Sequence, residues 1–110
     1  MNTLRNKVQL IGNLGNDPEM ITLESGKKLA KFSLATNEYY KDADGKKQTK
    51  TQWHNLVAWN KTAEIIENYV SKGKEIAIEG KLTNRSWDDK EGNKRYTTEV
   101  VVSEVVLFSK

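Results

Sequence analysis

The sequence predicts an all-β fold: a small closed barrel of five strands with one short helix between strands 3 and 4. Three observations carry this. Apolar and polar residues alternate with period two along most of the chain. Only the stretch after Asn60 has helical spacing. The order is three strands, a helix, then two or more strands. A parallel α/β layer would need a helix between most strands, whereas a small barrel needs only one.

Each element has its own signal. Lys7 to Ile11 alternates, with Val8 and Leu10 on one face, and then meets the glycines of IGNLGND. Those glycines predict a bend or bulge in a strongly curved strand, which Met20 to Leu23 continues. Pro18, the single proline, falls in the loop NDPE, and SGKK is a turn. Leu29 to Asn37 alternates again, with Ala30, Phe32, Leu34 and Thr36 on one side. KDADGKKQTK, residues 41–50, predicts a polar, basic loop with a turn centred on Asp44–Gly45. The third strand is TQWHNLVAW, residues 51–59. A helix follows, capped by Asn60 or Thr62, with Ala63, Ile66 and Val70 on one face, Ile65 and Tyr69 broadening it, and Gly73 as C′. Glu75 to Leu82 alternates, with Ile76, Ile78 and Leu82 on one side and Gly80 between them. Arg85 to Asp88 and Arg95 to Val102 flank the polar hairpin tip DKEGNK, and Val105 to Phe108 is a last short strand. This order matches the OB-fold Greek-key barrel, whose helix lies between strands 3 and 4.

Residues 1–110 read as a single domain, long enough to bury roughly two thirds of its unfolded surface. With no cysteine, disulfides and thiolate-bound zinc are excluded, and a reducing, cytoplasmic setting is expected. The N-terminus has no apolar h-region, and no apolar run approaches the ~20 residues that span a bilayer. Eighteen basic residues against 15 acidic leave a net charge of +3. That excess suits a polyanionic partner and equally suits a mixed, solvated surface.

Nothing points to catalysis. His54, the one histidine, lies mid-strand with Leu56 and Ala58, where a buried or interface imidazole is the simpler reading than a catalytic base. No carboxylate pair stands out, no metal-ligand spacing occurs, and GNLG lacks the following helix of a dinucleotide site. No cofactor and no metal are expected.

The aromatic residues carry more. Trp53 and Trp59 have an even spacing, so in a strand they share a face with Asn55 and Val57. That face is either core or a stacking platform. Trp87 favours the platform, because NRS before it and DDKEGNKR after it are polar throughout. Lys41, Lys46, Lys47 and Lys50 precede Trp53, Lys61 follows Trp59, Arg85 precedes Trp87, and Lys94 and Arg95 lie across the hairpin. Bases offer π-faces whatever their sequence, and basic side chains alongside would track phosphates. Exposed aromatics with basic flanks are what sequence-tolerant binding of a single strand requires.

The chain closely resembles the bacterial single-stranded DNA-binding protein family. The matching stretches are NKVQLIGNLGNDPE at 6–19, FSLAT at 32–36, QWHNLVAW at 52–59, KGKEIAIEGKL at 72–82 and RYTTEVVV at 95–102, in the family's order. The resemblance implies an OB fold, a homotetramer, binding of single-stranded DNA without strong sequence preference, and a nucleoid-associated role in replication, recombination and repair. It implies base-stacking roles for Tyr40, Trp53, Trp59 and Trp87, with tyrosine at 40 where tryptophan is common and tryptophan at 59 where phenylalanine is common. It implies phosphate contacts for Lys7, Lys61, Lys72 and Arg85, and a place for His54 near a subunit interface. Asn55, Thr83 and Ser86 stand where a basic residue is common; Lys81 and the loop lysines can compensate.

One departure concerns the end of the chain. Family members usually continue into a flexible linker and an acidic tip that recruits DNA-processing proteins, whereas this sequence stops at VVSEVVLFSK. The expectation is a truncated chain or a short member that binds DNA without that tip. Three rivals remain: a dimeric primosome-type OB protein, told apart by mass in solution; a cold-shock-type RNA-binding domain, told apart by RNA–DNA competition; and a nuclease or hydrolase, told apart by loss of an end-labelled oligomer with magnesium.

Overall fold

The computed structural model describes residues 5–108. Its elements are β1 (Val8–Leu14), β2 (Glu19–Thr22), β3 (Lys28–Lys41), β4 (Lys47–Trp59), α1 (Asn60–Tyr69), β5 (Glu75–Asp88) and β6 (Lys94–Leu107). They form one sheet in the order β1-β5-β6-β4-β3-β2, and an added β1–β3 pairing closes it into a barrel. β2 resumes the path of β1 after a short loop. Counted as one bent strand, the pair makes the barrel five-stranded, with the helix between its third and fourth strands. All pairings are antiparallel except β4–β6, which is parallel at Leu56↔Val100 and Val57↔Val101.

Closure depends on glycine at two places. A β-carbon on Gly12 would collide with the carbonyl oxygen of Ala35, where β1 crosses β3. One on Gly80 would collide with the carbonyl oxygen of Val101, at the bulge between Glu79 and Gly80. The extra residue there is Ser103 of β6, and the bulge bends β6 where it passes along β5.

The core is the inner face of the barrel. Leu34, Leu56, Ile66 and Ile76 are the largest fully buried side chains. Each contributes about 1.5–3 kcal/mol by leaving water. The helix packs on β3, β4 and β6 and sends Ala63 and Ile66 into the same cluster. Ile65 and Tyr69, on its other side, are exposed.

Four expectations are corrected. First, neither Asn60 nor Thr62 caps the helix. Trp59 holds the N-cap position in extended conformation with no side-chain cap bond. Asn60 turns the chain at φ 51°, a left-handed conformation asparagine tolerates, and its Oδ1 accepts a long bond from the Lys28 N–H at 3.4 Å. Second, the helix ends at Tyr69 with Val70 as its C-cap, so Gly73 is not its C′ residue. Gly73 instead takes φ 87° in the loop before β5 and donates its N–H to the Leu14 carbonyl at 2.8 Å.

Third, the strands are longer than the apolar pattern implies. β3 and β4 stay paired out to Lys41↔Lys47, so half of the predicted 41–50 loop is ladder. β5 and β6 are each continuous, paired out to Asp88↔Lys94, and the predicted short strand at 105–108 is the end of β6. These extensions are two-stranded arms exposed on both faces, with no apolar period to betray them. Fourth, Leu82, placed on one side with Ile76 and Ile78, is exposed while they are buried, because β5 has left the barrel by that point. There Asn6 acts as an extra rung, its amide exchanging bonds with the Leu82 carbonyl at 3.1 Å and N–H at 3.0 Å.

Both arms end in the same turn. Asp42 in DADGK and Asp89 in DKEGN each accept through Oδ1 from the amides two and four residues on, at 2.8–3.0 Å. Gly45 and Gly92, at φ 80° and 84°, close the turns. These amide bonds hold both carboxyls below the usual aspartate range. For Asp42 the Lys46 amide is the main cause, with Gln48 and the Asp44 amide adding to it. For Asp89 it is the Asn93 amide, followed by Arg95.

Candidate nucleic-acid interface

β4 alternates as a strand must, and its outer face carries both indoles. Trp53 is 62% exposed and Trp59 38%. Leu56 and Ala58 point inward, and Val57, between the indoles, is also buried. The Trp53 ring lies against Gly15 in the β1–β2 loop, beside Ser33. Asn16 fixes this neighbourhood: its Oδ1 accepts from the Ser33 N–H at 3.0 Å and the Ser33 hydroxyl at 2.7 Å. The loop bearing Lys72 is tied to the same place. The Lys72 N–H donates to Asp17 Oδ1 at 2.8 Å, and Asn13 Nδ2 donates to the Gly73 carbonyl at 3.0 Å.

From Ser33 and Asn16 an open groove of about 290 Å³ runs past Asn55 to Arg85, Thr97 and Glu99 on the β5–β6 arm. Lys31, Trp59 and Arg85 border its continuation. The register Thr83↔Glu99, Arg85↔Thr97 and Trp87↔Arg95 puts these residues on one face of the arm. Arg85 Nε donates to Glu99 Oε1 at 3.1 Å, leaving the end of the guanidinium in solvent. The Trp87 indole N–H donates to the Thr97 hydroxyl at 3.1 Å, holding a ring that is 46% exposed. The result is a groove with an indole at each end and one on its flank, bordered by Lys31 and Arg85. It offers flat apolar faces and cationic donors, the two features that a single nucleic-acid strand presents in complement.

A sequence model described as the Single-strand binding protein family matches residues 5–108. The chain belongs to this family. A protein named single-stranded DNA-binding protein 1, from Chlorobaculum tepidum, is 50% identical over 104 residues, covering 94% of this chain and 64% of the relative. One of the same name from Xylella fastidiosa is 46% identical over 106 residues, covering 96% of this chain and 78% of the relative. The chain thus spans under two thirds of the Chlorobaculum protein. In three dimensions it is similar to a structure titled Plasmodium falciparum SSB complex with ssDNA, with a TM-score of 0.87, 32% identity, and coverage of 99% of this chain and 100% of that one.

Of the residues singled out by sequence, Trp53, Trp59, Trp87 and Arg85 lie along or beside the groove, and Lys72 is on a loop bonded to its end. The others lie elsewhere in this family member. Lys7 pairs with Glu79 at 3.5 Å on the β1–β5 surface, where Gln9 also donates to Glu79 at 3.0 Å. Lys61 is exposed at the start of α1. Tyr40 is exposed on the β3–β4 arm opposite Gln48, at an even position of a ladder whose odd positions hold the Trp53 face. His54 is half-buried, its Nε2 3.0 Å from the Thr36 hydroxyl. Sequence reading missed Lys31 and Thr97 as groove residues. The signal for Lys31 was its place opposite Val57, between the two indoles, which becomes visible only once β3 and β4 are set in register.

Proposed function

We propose that this chain binds single-stranded DNA without strong sequence preference and coats strands exposed in replication, recombination and repair. The observation that carries the reading is the row of solvent-exposed indoles, Trp53, Trp59 and Trp87, around a groove edged by Lys31 and Arg85. Each base stacked on an aromatic ring is worth about 1–3 kcal/mol, and every base has a π-face. A duplex hides those faces, so the groove should prefer a single strand. Membership of a single-strand binding family and likeness to a protein solved with ssDNA support the same assignment.

In this reading Tyr40 stacks a base from the opposite face of its arm, and Lys7, Lys61, Lys72 and Arg85 meet phosphates. Binding, not bond-making, is the activity, and it needs no cofactor. The working form is a homotetramer in the cytoplasm, associated with the nucleoid, with His54 near a subunit contact. Ile11 and Val106, exposed together on the β1–β5–β6 surface, supply apolar area suited to assembly. Sedimentation equilibrium tests this; a monomer or dimer would reject the tetramer.

The test of the binding reading is tryptophan fluorescence during titration with oligo-dT and with a duplex of equal length, at low and high salt. Strong quenching by the single strand alone is expected, with log K falling by about 0.7 per decade of salt for each phosphate neutralised. Equal response to both, or none, would overturn it.

A further inference from the structure

The geometry points to an additional nucleotide subsite at the tip of the β3–β4 arm, formed by Tyr39, Lys41 and Lys47. It rests on the single-strand reading above and extends it. In the ladder, Ala35 faces Trp53, Asn37 faces Thr51, Tyr39 faces Thr49 and Lys41 faces Lys47. Alternation puts these odd-numbered residues on one side of the arm. A hydrogen bond from the Thr51 hydroxyl to Asn37 Oδ1 at 2.7 Å shows that this rung shares a side as the register requires. Tyr39, rather than its neighbour Tyr40, therefore continues the Trp53 face. It is four residues up the strand, about 13 Å at ~3.3 Å per residue.

Tyr39 is open to solvent on the arm. It is 76% exposed, the most exposed of the large apolar and aromatic side chains among the described residues. One rung farther out, Lys41 and Lys47 lie directly opposite each other. A like-charge pair in that position costs stability in the unliganded protein. A phosphate between the two ammonium groups would turn that cost into an attraction. Tyr39, Tyr40, Lys41 and Lys47 together line an open cleft of about 470 Å³ at the tip. A flat ring followed by paired cations is the order in which a base and its phosphate would meet a strand leaving Trp53 along the arm.

The test uses anisotropy of fluorescein-labelled oligo-dT across a range of salt, with the whole chain. Tyr39→Ala should bind about fivefold more weakly or worse, and Tyr39→Phe should bind as the wild type does, because the ring alone is needed. Lys41→Gln combined with Lys47→Gln should make the log–log salt slope shallower by about 0.7, the share of the one phosphate held between them. The same double variant should melt no lower than the wild type, since a repulsion has been removed. Wild-type affinity in Tyr39→Ala, or an unchanged slope in the lysine variant, overturns the subsite. The parent reading fails separately, if the wild type does not prefer a single strand or if Trp53→Ala binds as well as it does.

Discussion

The indole of Trp53 rests on Gly15 so closely that a β-carbon there would overlap the ring at Cζ3 and come within 2.8 Å of the Ser33 hydroxyl. Residue 15 is thus the seat of a ring that the binding reading places against a base. Gly15→Ala should tilt the indole off the loop and weaken oligo-dT binding toward the level of Trp53→Ala, a loss of up to about 1–3 kcal/mol. Parallel titrations of the two variants check this. Wild-type affinity in Gly15→Ala would show that the seat does not position the ring.

Trp87 is held differently, by one hydrogen bond to Thr97. Trp87→Ala should cost about 1–3 kcal/mol of binding. Thr97→Val keeps the side chain's shape and removes the acceptor, so it should cost less, about 0.5–1.5 kcal/mol at most. Affinity measurements on both variants separate the ring from its tether. An unchanged affinity in Trp87→Ala would remove that residue from the stacking set.

Arg85 is shared between the groove and Glu99. Glu99→Gln keeps an oxygen acceptor for Arg85 Nε but removes the ion pair and a negative charge from the groove wall. Oligo-dT should then bind more tightly at low salt, by about 0.5–1 kcal/mol, the scale of a solvent-screened ion pair. Arg85→Gln should instead make the salt slope shallower by about 0.7. Weaker binding in Glu99→Gln would mean that the carboxylate serves chiefly to orient Arg85.

Acid should loosen both arm tips. The carboxyls of Asp42 and Asp89 titrate below the ordinary aspartate range because backbone amides donate to them in the folded state. Their contribution is therefore fully present above the unfolded value near ~3.9 and is lost as pH falls through the lower folded values. Glu79, lowered by its bonds from Gln9 and then by Lys7, acts in the same direction. Melting temperature followed from pH 7 to 2 should fall in that window. Asp42→Asn with Asp89→Asn should flatten the fall and leave the part due to Glu79.

The barrel was readable because its inner face writes an alternating apolar pattern: Leu34, Leu56, Ile76 and Ile78 are all buried where alternation put them. The arms were not, because residues exposed on both faces leave no hydrophobic period. Their length is set by cross-strand bonds and by the Asp-to-Gly turn chemistry, which the spacing of Asp42 to Gly45 and Asp89 to Gly92 repeats. Trp53 and Trp59 could be placed on one face by even spacing alone. Lys31, Thr97 and Tyr39 could not, because each belongs to the surface only through the strand it faces. The helix start was misread for a local reason: Asn60 is spent on making the corner and has no geometry left to cap.

The two locked tips also have a consequence for reach. Each lock is complete within five residues, and below it the arm is a uniform ladder down to the barrel. Lengthening both strands of an arm by one residue would swap its faces and turn the rings away from the groove. Lengthening both by two would keep the faces and carry the lock outward by about 7 Å at ~3.3 Å per residue. The surface that the arms present can therefore grow or shrink in whole pleats while the barrel beneath stays unaltered.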